Sequence, residues 1–296
     1  MNYSKRRDFE PTLNMNNLVN NKESRQAYYL SHNGLGDLII STSALRFFIK
    51  YYDRVFLICK NIHCAQLQLI LQDEPRITII SVVMDLPISE LDHSIKVLKD
   101  AYGHSDVFCC GYIRKDNPTK ITNRSILSYN PNNLSYNTEF DKVDASFINK
   151  FYSDAHLDLR IYYEYFNIPS TPQSRELYNS IKDYKRVIFT QIKCSGSEHL
   201  NIDGVKSKYI NDDDAIILCN DENLYDKTTN PTKYAKSRQF VKNNIAWYID
   251  TILNCNEIYI LDSCFIAIVL PLVKTNRLKA DVVRIIKREL VNEILL

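Results

Sequence analysis

The chain has 296 residues, 45% hydrophobic and 24% charged, enough for one large or two medium globular domains with a sizeable core. Its 37 Lys and Arg against 35 Asp and Glu leave a formal charge of +2, which excludes the global basic field that drives nonspecific nucleic-acid binding. Eight cysteines, with no CxxC pair and no histidine at ligand spacing, argue for reduced core thiols rather than a disulfide framework or structural zinc.

Residues 1–24 are polar, Asn-rich and charged, and predict a mobile arm without the apolar stretch of a signal peptide. No 18-residue apolar run follows anywhere, so no membrane span is expected and the location expected is cytoplasmic. From residue 27 the pattern alternates. Strands are predicted at 27–31, 54–59, 76–83 and 106–112, and helices at 37–52, 62–72 and 89–100. Strands alternating with helices imply a parallel sheet covered on both faces, joined by right-handed crossovers.

Residues 113–150 break this rhythm with Asn, Pro, Tyr and Ser. That is too long for an ordinary connection, so a substrate-facing loop is expected there. A helix is predicted at 157–166, and the two prolines of NIPSTPQS, 167–174, predict a linker. The domain assignment is accordingly 1–24 arm, 25–168 first domain and 169–296 second domain. In the second half, strands are expected at 186–192, 215–219 and 257–261, and helices at 238–253, 263–273 and, amphipathic, 280–295. The stretch 193–213 shows no clear helix, so the second domain is expected to be reduced, with its last helix able to pack back on the first domain.

Two of the six glycines, Gly34 and Gly36, stand between the first predicted strand and helix, in SHNGLGDLIISTSALRFF. Ligands of open parallel sheets settle at such strand-to-helix turns. Glycine there can take positive φ and lets backbone N–H groups approach a ligand closely. A tight turn capped by Asp37 explains the same residues without a ligand. The spacing lacks the third glycine of a dinucleotide fingerprint and the GK[ST] of a P-loop, which disfavours a nicotinamide-dependent oxidoreductase.

The run GLGDLIISTSALRFF resembles the N-terminal signature of heptosyltransferase-like enzymes, glycosyltransferase family 9 and its relatives. The match lies on Gly34, Gly36, Asp37, Thr42, Ala44 and Leu45. EIYILDSCFIAIVLPL resembles that family's strand, Asp-Ser/Thr-Gly, helix element through Asp262 and Ser263. The resemblance implies an α/β chain of GT-B type: two Rossmann-like domains facing a cleft, an N-terminal acceptor domain and a C-terminal nucleotide-sugar domain. It implies metal-independent, inverting transfer of a sugar from a nucleotide donor to a hydroxyl of a glycan or related acceptor, with Asp37 as base. It further implies that Ser263, with Asp262 before it, binds donor phosphate at the start of a helix. Ser195, Gly196 and Ser197 would form a second phosphate loop, with Lys193 as counter-charge, although an ordinary polar turn explains the same three residues. His32 and Asn33 adjoin the glycine turn on the acceptor side, and Glu222 is placed to bond a ribose hydroxyl.

The departures are Cys264, where the family has glycine, and Ala267, where it often has histidine. They keep open an inactive GT-B-like scaffold that binds a nucleotide, a glycan or a protein. Asp212, Asp214 and Asp221 raise a DxD metal site, but solvated loop charge is the better reading. No metal and no cofactor are expected. The partners expected are a nucleotide sugar and a glycan or glycoconjugate acceptor.

Overall fold

The computed structural model describes residues 26–31, 34–82, 106–110, 146–155, 157–194 and 199–286. The predicted arm, the helix at 89–100 and all but the end of the 113–150 loop lie outside the described residues. By internal contact the described residues divide between two units. One draws on residues 1–32, 43–61 and 76–165, the other on 33–42, 62–75 and 166–296.

The first unit is built on a parallel sheet of four strands, β1 (Gln26–Ser31), β2 (Arg54–Lys60), β3 (Ile77–Val82) and β4 (Asp106–Cys110), in the order β3-β2-β1-β4. Ala27 to Leu30 are fully buried, the near-continuous apolar run that a strand needs when both sheet faces are covered. Tyr28 stacks on Phe56 across the β1 and β2 pair at 4.6 Å, and Phe48 stacks on Phe108 at 4.3 Å. Helix α1 (Leu35–Phe48) follows β1, and α2 (Asn61–Ile70) follows β2 directly. Within α1, Ser41 and Thr42 are buried because their hydroxyls donate to the carbonyls of Asp37 and Ile39, at 2.8 and 2.7 Å. Helix α3 (Ser146–Asp154) begins inside the predicted loop, and the predicted helix at 157–166 is only one turn long, α4 (Arg160–Glu164).

The second unit repeats the plan with β5 (Arg186–Gln191), β6 (Ala215–Cys219), β7 (Glu257–Leu261) and β8 (Val282–Ile286), all parallel, in the order β6-β5-β7-β8. The chain passes from β5 to β6 on one side and then to β7 on the other. The connections diverge at the carboxyl ends of β5 and β7, the switch point at which open sheets bind ligands. Phe189 of β5 packs against Tyr248 and Phe265 at 5.5 and 5.3 Å.

Residues 282–286 form strand β8 rather than a helix, pairing Val282 to Ile286 with Glu257 to Leu261; residues 287–295 lie outside the described residues. A run of alternating Val, Arg and Ile fits a helical stripe and an edge strand equally, and the open side of β7 decides. With β8 in place the second sheet has as many described strands as the first, so it is not reduced in strand count. The predicted linker at 167–174 runs into a helix: Thr171 caps α5 (Pro172–Ile181) with Pro172 in its first turn. Helix α6 (Asp203–Tyr209) stands where none was expected.

The predicted helix at 238–253 is broken. Helix α7 (Pro231–Arg238) ends first, Lys242 takes a φ of 58° with its N–H bonded to the carbonyl of Asn220, and the side chain of Asn244 caps a 3-10 turn (Ile245–Tyr248) ahead of α8 (Ile249–Asn254). The last helix among the described residues, α9 (Ile266–Lys274), is buried from Ile266 to Leu272 and carries Pro271 in its interior.

Candidate functional site

The glycine turn opens α1, and its geometry follows from the short side chains. Gly34 stands at the cap position and Asp37 three residues on. The Asp37 carboxylate accepts from the Gly34 N–H at 3.2 Å, and the Leu38 N–H donates to the Gly34 carbonyl at 3.0 Å. This is the reach-back half of a capping box, with the carboxylate at the positive end of a helix. Neither glycine takes a left-handed φ, contrary to the expectation for this turn.

What the glycines supply is room. A Cβ on Gly34 would stand 2.6 Å from Asp37 Oδ2, and one on Gly36 would stand 3.2 Å from the Cα of Cys264 and 3.7 Å from its N. Gly36 is therefore pressed against the backbone that follows β7. The turn bearing Asp37 and the segment bearing Ser263 meet within one unit, each one residue from that contact.

At the carboxyl ends of β5 and β7 the polar groups interlock. Ser263 Oγ donates to Gln191 Oε1 at 2.7 Å, and Gln191 Nε2 donates to the Lys193 carbonyl at 3.1 Å. Gln191 is 3% exposed, the polar terminus of an otherwise apolar strand. The Asp262 N–H donates to the Ile286 carbonyl at 2.9 Å, which ties the segment after β7 to the end of β8. Ser263 O accepts from the Ile266 N–H at 3.0 Å and so starts α9. Burial pushes the Cys264 thiol up to about 11, with the Ser263 side chain opposing the shift, so the thiol is protonated at neutral pH.

Lys193 and Glu222 face one another at 2.6 Å, each about half exposed. Their hydrogen bond raises the lysine and lowers the glutamate from their ordinary values. The lysine's charge is thus already balanced by the residue expected to hold a ribose. Asp221 Oδ2 accepts from the N–H groups of Ile192 and Lys193, both at 2.8 Å, and so fixes the chain as it leaves β5. Lys193 also bridges to His199 as an antiparallel pair. His32, Asn33, Ser195, Gly196 and Ser197 lie outside the described residues.

The acidic cluster before β6 is bound up in local structure. Asp212 Oδ1 accepts from the Asp214 N–H at 3.0 Å, the Asp214 carboxylate pairs with Lys185 at 2.7 Å, and buried Lys233 donates to the Asp212 carbonyl at 2.6 Å. Among the described residues no group of three or more His, Cys, Asp or Glu is placed to hold a metal ion, and no helix is long and apolar enough to cross a membrane.

Sequence reasoning missed Gln191 and the anchoring role of Asp221. The signal available was a polar residue closing an apolar strand at a switch point.

No family model matches the chain, and no curated protein matches it. Among solved structures it is similar to the glycosyl transferase family 9 from Veillonella parvula DSM 2008, with a TM-score of 0.51 and 14% identity over 89% of this chain and 87% of that one. It is also similar to the E. coli ADP-heptose lps heptosyltransferase II, with a TM-score of 0.49 and 9% identity over 91% and 94%. The first likeness shows the fold: a mixed α/β chain of GT-B type carrying two parallel sheets, in agreement with the resemblance on Gly34, Gly36, Asp37, Asp262 and Ser263.

Proposed function

We propose that this protein is a glycosyltransferase that moves a sugar from a nucleotide donor to a hydroxyl of a glycan or related acceptor, in the cytoplasm and without a metal. The observation that carries the reading is the close approach of Gly36 to Cys264. It sets a carboxylate-bearing turn beside a hydroxyl-bearing helix start within a chain of glycosyltransferase fold.

In this reading the acceptor oxygen attacks the anomeric carbon, and the bond from that carbon to the leaving phosphate oxygen breaks. The nucleoside diphosphate departs with the electron pair, and the Asp37 carboxylate takes the acceptor's proton. Single displacement inverts the anomeric centre. The Asp37 carboxylate stands at the start of α1, where the Gly34 N–H donates to it and holds it in the turn. Negative charge gathering on the diphosphate is met by backbone N–H groups at the start of α9 and by Lys193 once Glu222 yields it.

A screen for release of nucleoside diphosphate from adenine, guanine and uracil nucleotide sugars tests this. Turnover of at least one supports the reading; no release and no binding by any overturns it. The second reading is a scaffold that binds without turnover. Cys264 favours it, because a side chain stands where the resembling enzymes have glycine, and the screen then gives binding without release.

A further inference from the structure

We propose that the hydroxyl of Ser263 reads a hydroxyl of the bound ligand rather than a phosphate oxygen, with Gln191 as the positioning residue that sets this polarity. The inference rests on the glycosyltransferase reading above and deepens it.

The Lys193 carbonyl can only accept, so the amide group of Gln191 that faces it at 3.1 Å is the NH2. The other end of that amide, Oε1, therefore faces Ser263 Oγ at 2.7 Å, and it too can only accept. A serine hydroxyl has one proton, and here it is committed to Gln191. The Cys264 thiol, which also approaches the Ser263 side chain, is held protonated by burial and is a weak acceptor, so it does not compete for that proton.

What Ser263 has left to offer is lone pairs. A diphosphate oxygen at neutral pH is itself an acceptor and finds no donor there unless the bond to Gln191 breaks. Breaking it strands the acceptor of a side chain that is 3% exposed, which is costly. A ligand hydroxyl can donate to Ser263 with nothing broken. The phosphates are left to backbone N–H groups and Lys193, and Ser263 marks where a sugar or ribose hydroxyl lies.

The test is calorimetric titration of the full chain and its Ser263→Ala, Ser263→Thr and Gln191→Met variants. The probes are inorganic pyrophosphate, the diphosphates of adenosine, guanosine and uridine, and their glucose or mannose conjugates. Ser263→Ala is expected to weaken the hydroxyl-bearing ligand by about 3- to 10-fold, the worth of one net hydrogen bond, and to leave pyrophosphate unchanged. Ser263→Thr, which keeps the hydroxyl, should restore affinity. Gln191→Met should leave pyrophosphate bound as well or better while weakening the hydroxyl-bearing ligand.

Equal weakening of diphosphate and sugar conjugate by Ser263→Ala assigns the hydroxyl to ribose. Weakening of the conjugate alone assigns it to the transferred sugar. Loss of pyrophosphate affinity in Ser263→Ala, or no loss for any ligand, overturns the inference while the glycosyltransferase reading stands. Absence of binding of every probe to the unaltered protein overturns both.

Discussion

Gly36 lies so close to Cys264 that a methyl group in place of its hydrogen would stand 3.2 Å from the Cys264 Cα. The partner atom is backbone, not the far end of a flexible chain, so the overlap cannot be relieved by rotating a side chain. Gly36→Ala should change stability little: relief of glycine's entropic cost in a helix, about 0.5–1 kcal/mol, offsets a shift of a few tenths of an ångström. Gly36→Val should destabilise by about 1–3 kcal/mol as an overpacked contact, measured by urea unfolding. A valine variant as stable as the parent would show that the two segments do not meet.

Glu257 gives the second unit a pH dependence. Its carboxylate, 2% exposed, accepts from Arg186 at 2.6 Å, from Tyr209 at 2.5 Å and from Tyr259 at 2.8 Å. Desolvation by burial raises its pKa, but the bonds from Tyr209, Tyr259 and Arg186 together outweigh that and leave it lowered from 4.5. A lowered folded-state value means that the stability it contributes is fully present above 4.5 and is lost as pH falls through the folded value. Glu257→Gln should cost about 1–2 kcal/mol at neutral pH, because Arg186, itself 39% exposed and so partly screened by water, loses its counter-charge, and should flatten the acid limb of the stability curve. Urea unfolding of both proteins across neutral to acid pH checks the sign.

The capping pair ahead of α5 provides a local test. Thr171 Oγ1 accepts from the Ser174 N–H at 2.9 Å while the Thr171 N–H donates to Ser174 Oγ at 2.8 Å, and both residues are buried. Thr171→Ala should cost about 1–2 kcal/mol, and Thr171→Ser markedly less, by thermal or urea unfolding.

That pair also illustrates how far the sequence could be read. Thr, Pro and Ser in TPQS signal a turn and a helix start equally; the capping box was legible only once the helical run after Pro172 was followed. Short apolar runs bounded by polar residues, such as AIILC at 215–219 and EIYIL at 257–261, were readable to the residue because they are too short for a core helix and suit a covered parallel sheet. Strand β8 was not. Its residues are half-buried, its period is ambiguous, and what makes it a strand is pairing with β7, from which it is separated by α9.

At the site, Gly34, Gly36 and Asp37 were visible as a turn, but the reason for glycine was not. Neither needs positive φ; Gly36 is small because Cys264, more than two hundred residues on, lies against it. The link between Gln191 and Ser263 was equally hidden, since the topology alone brings β5 and β7 side by side.

Sugar transfer by this chain turns on Asp37 removing the acceptor's proton. Asp37→Asn keeps an oxygen that can accept from the Gly34 N–H, so the turn and its contact with Cys264 should persist, but the amide cannot take a proton. The most direct measurement is the rate of nucleoside diphosphate release by wild type and Asp37→Asn, with titration of the same nucleotide. Asp37→Asn should lower the rate by about 10²–10⁴-fold with affinity unchanged. Turnover equal to wild type would contradict it.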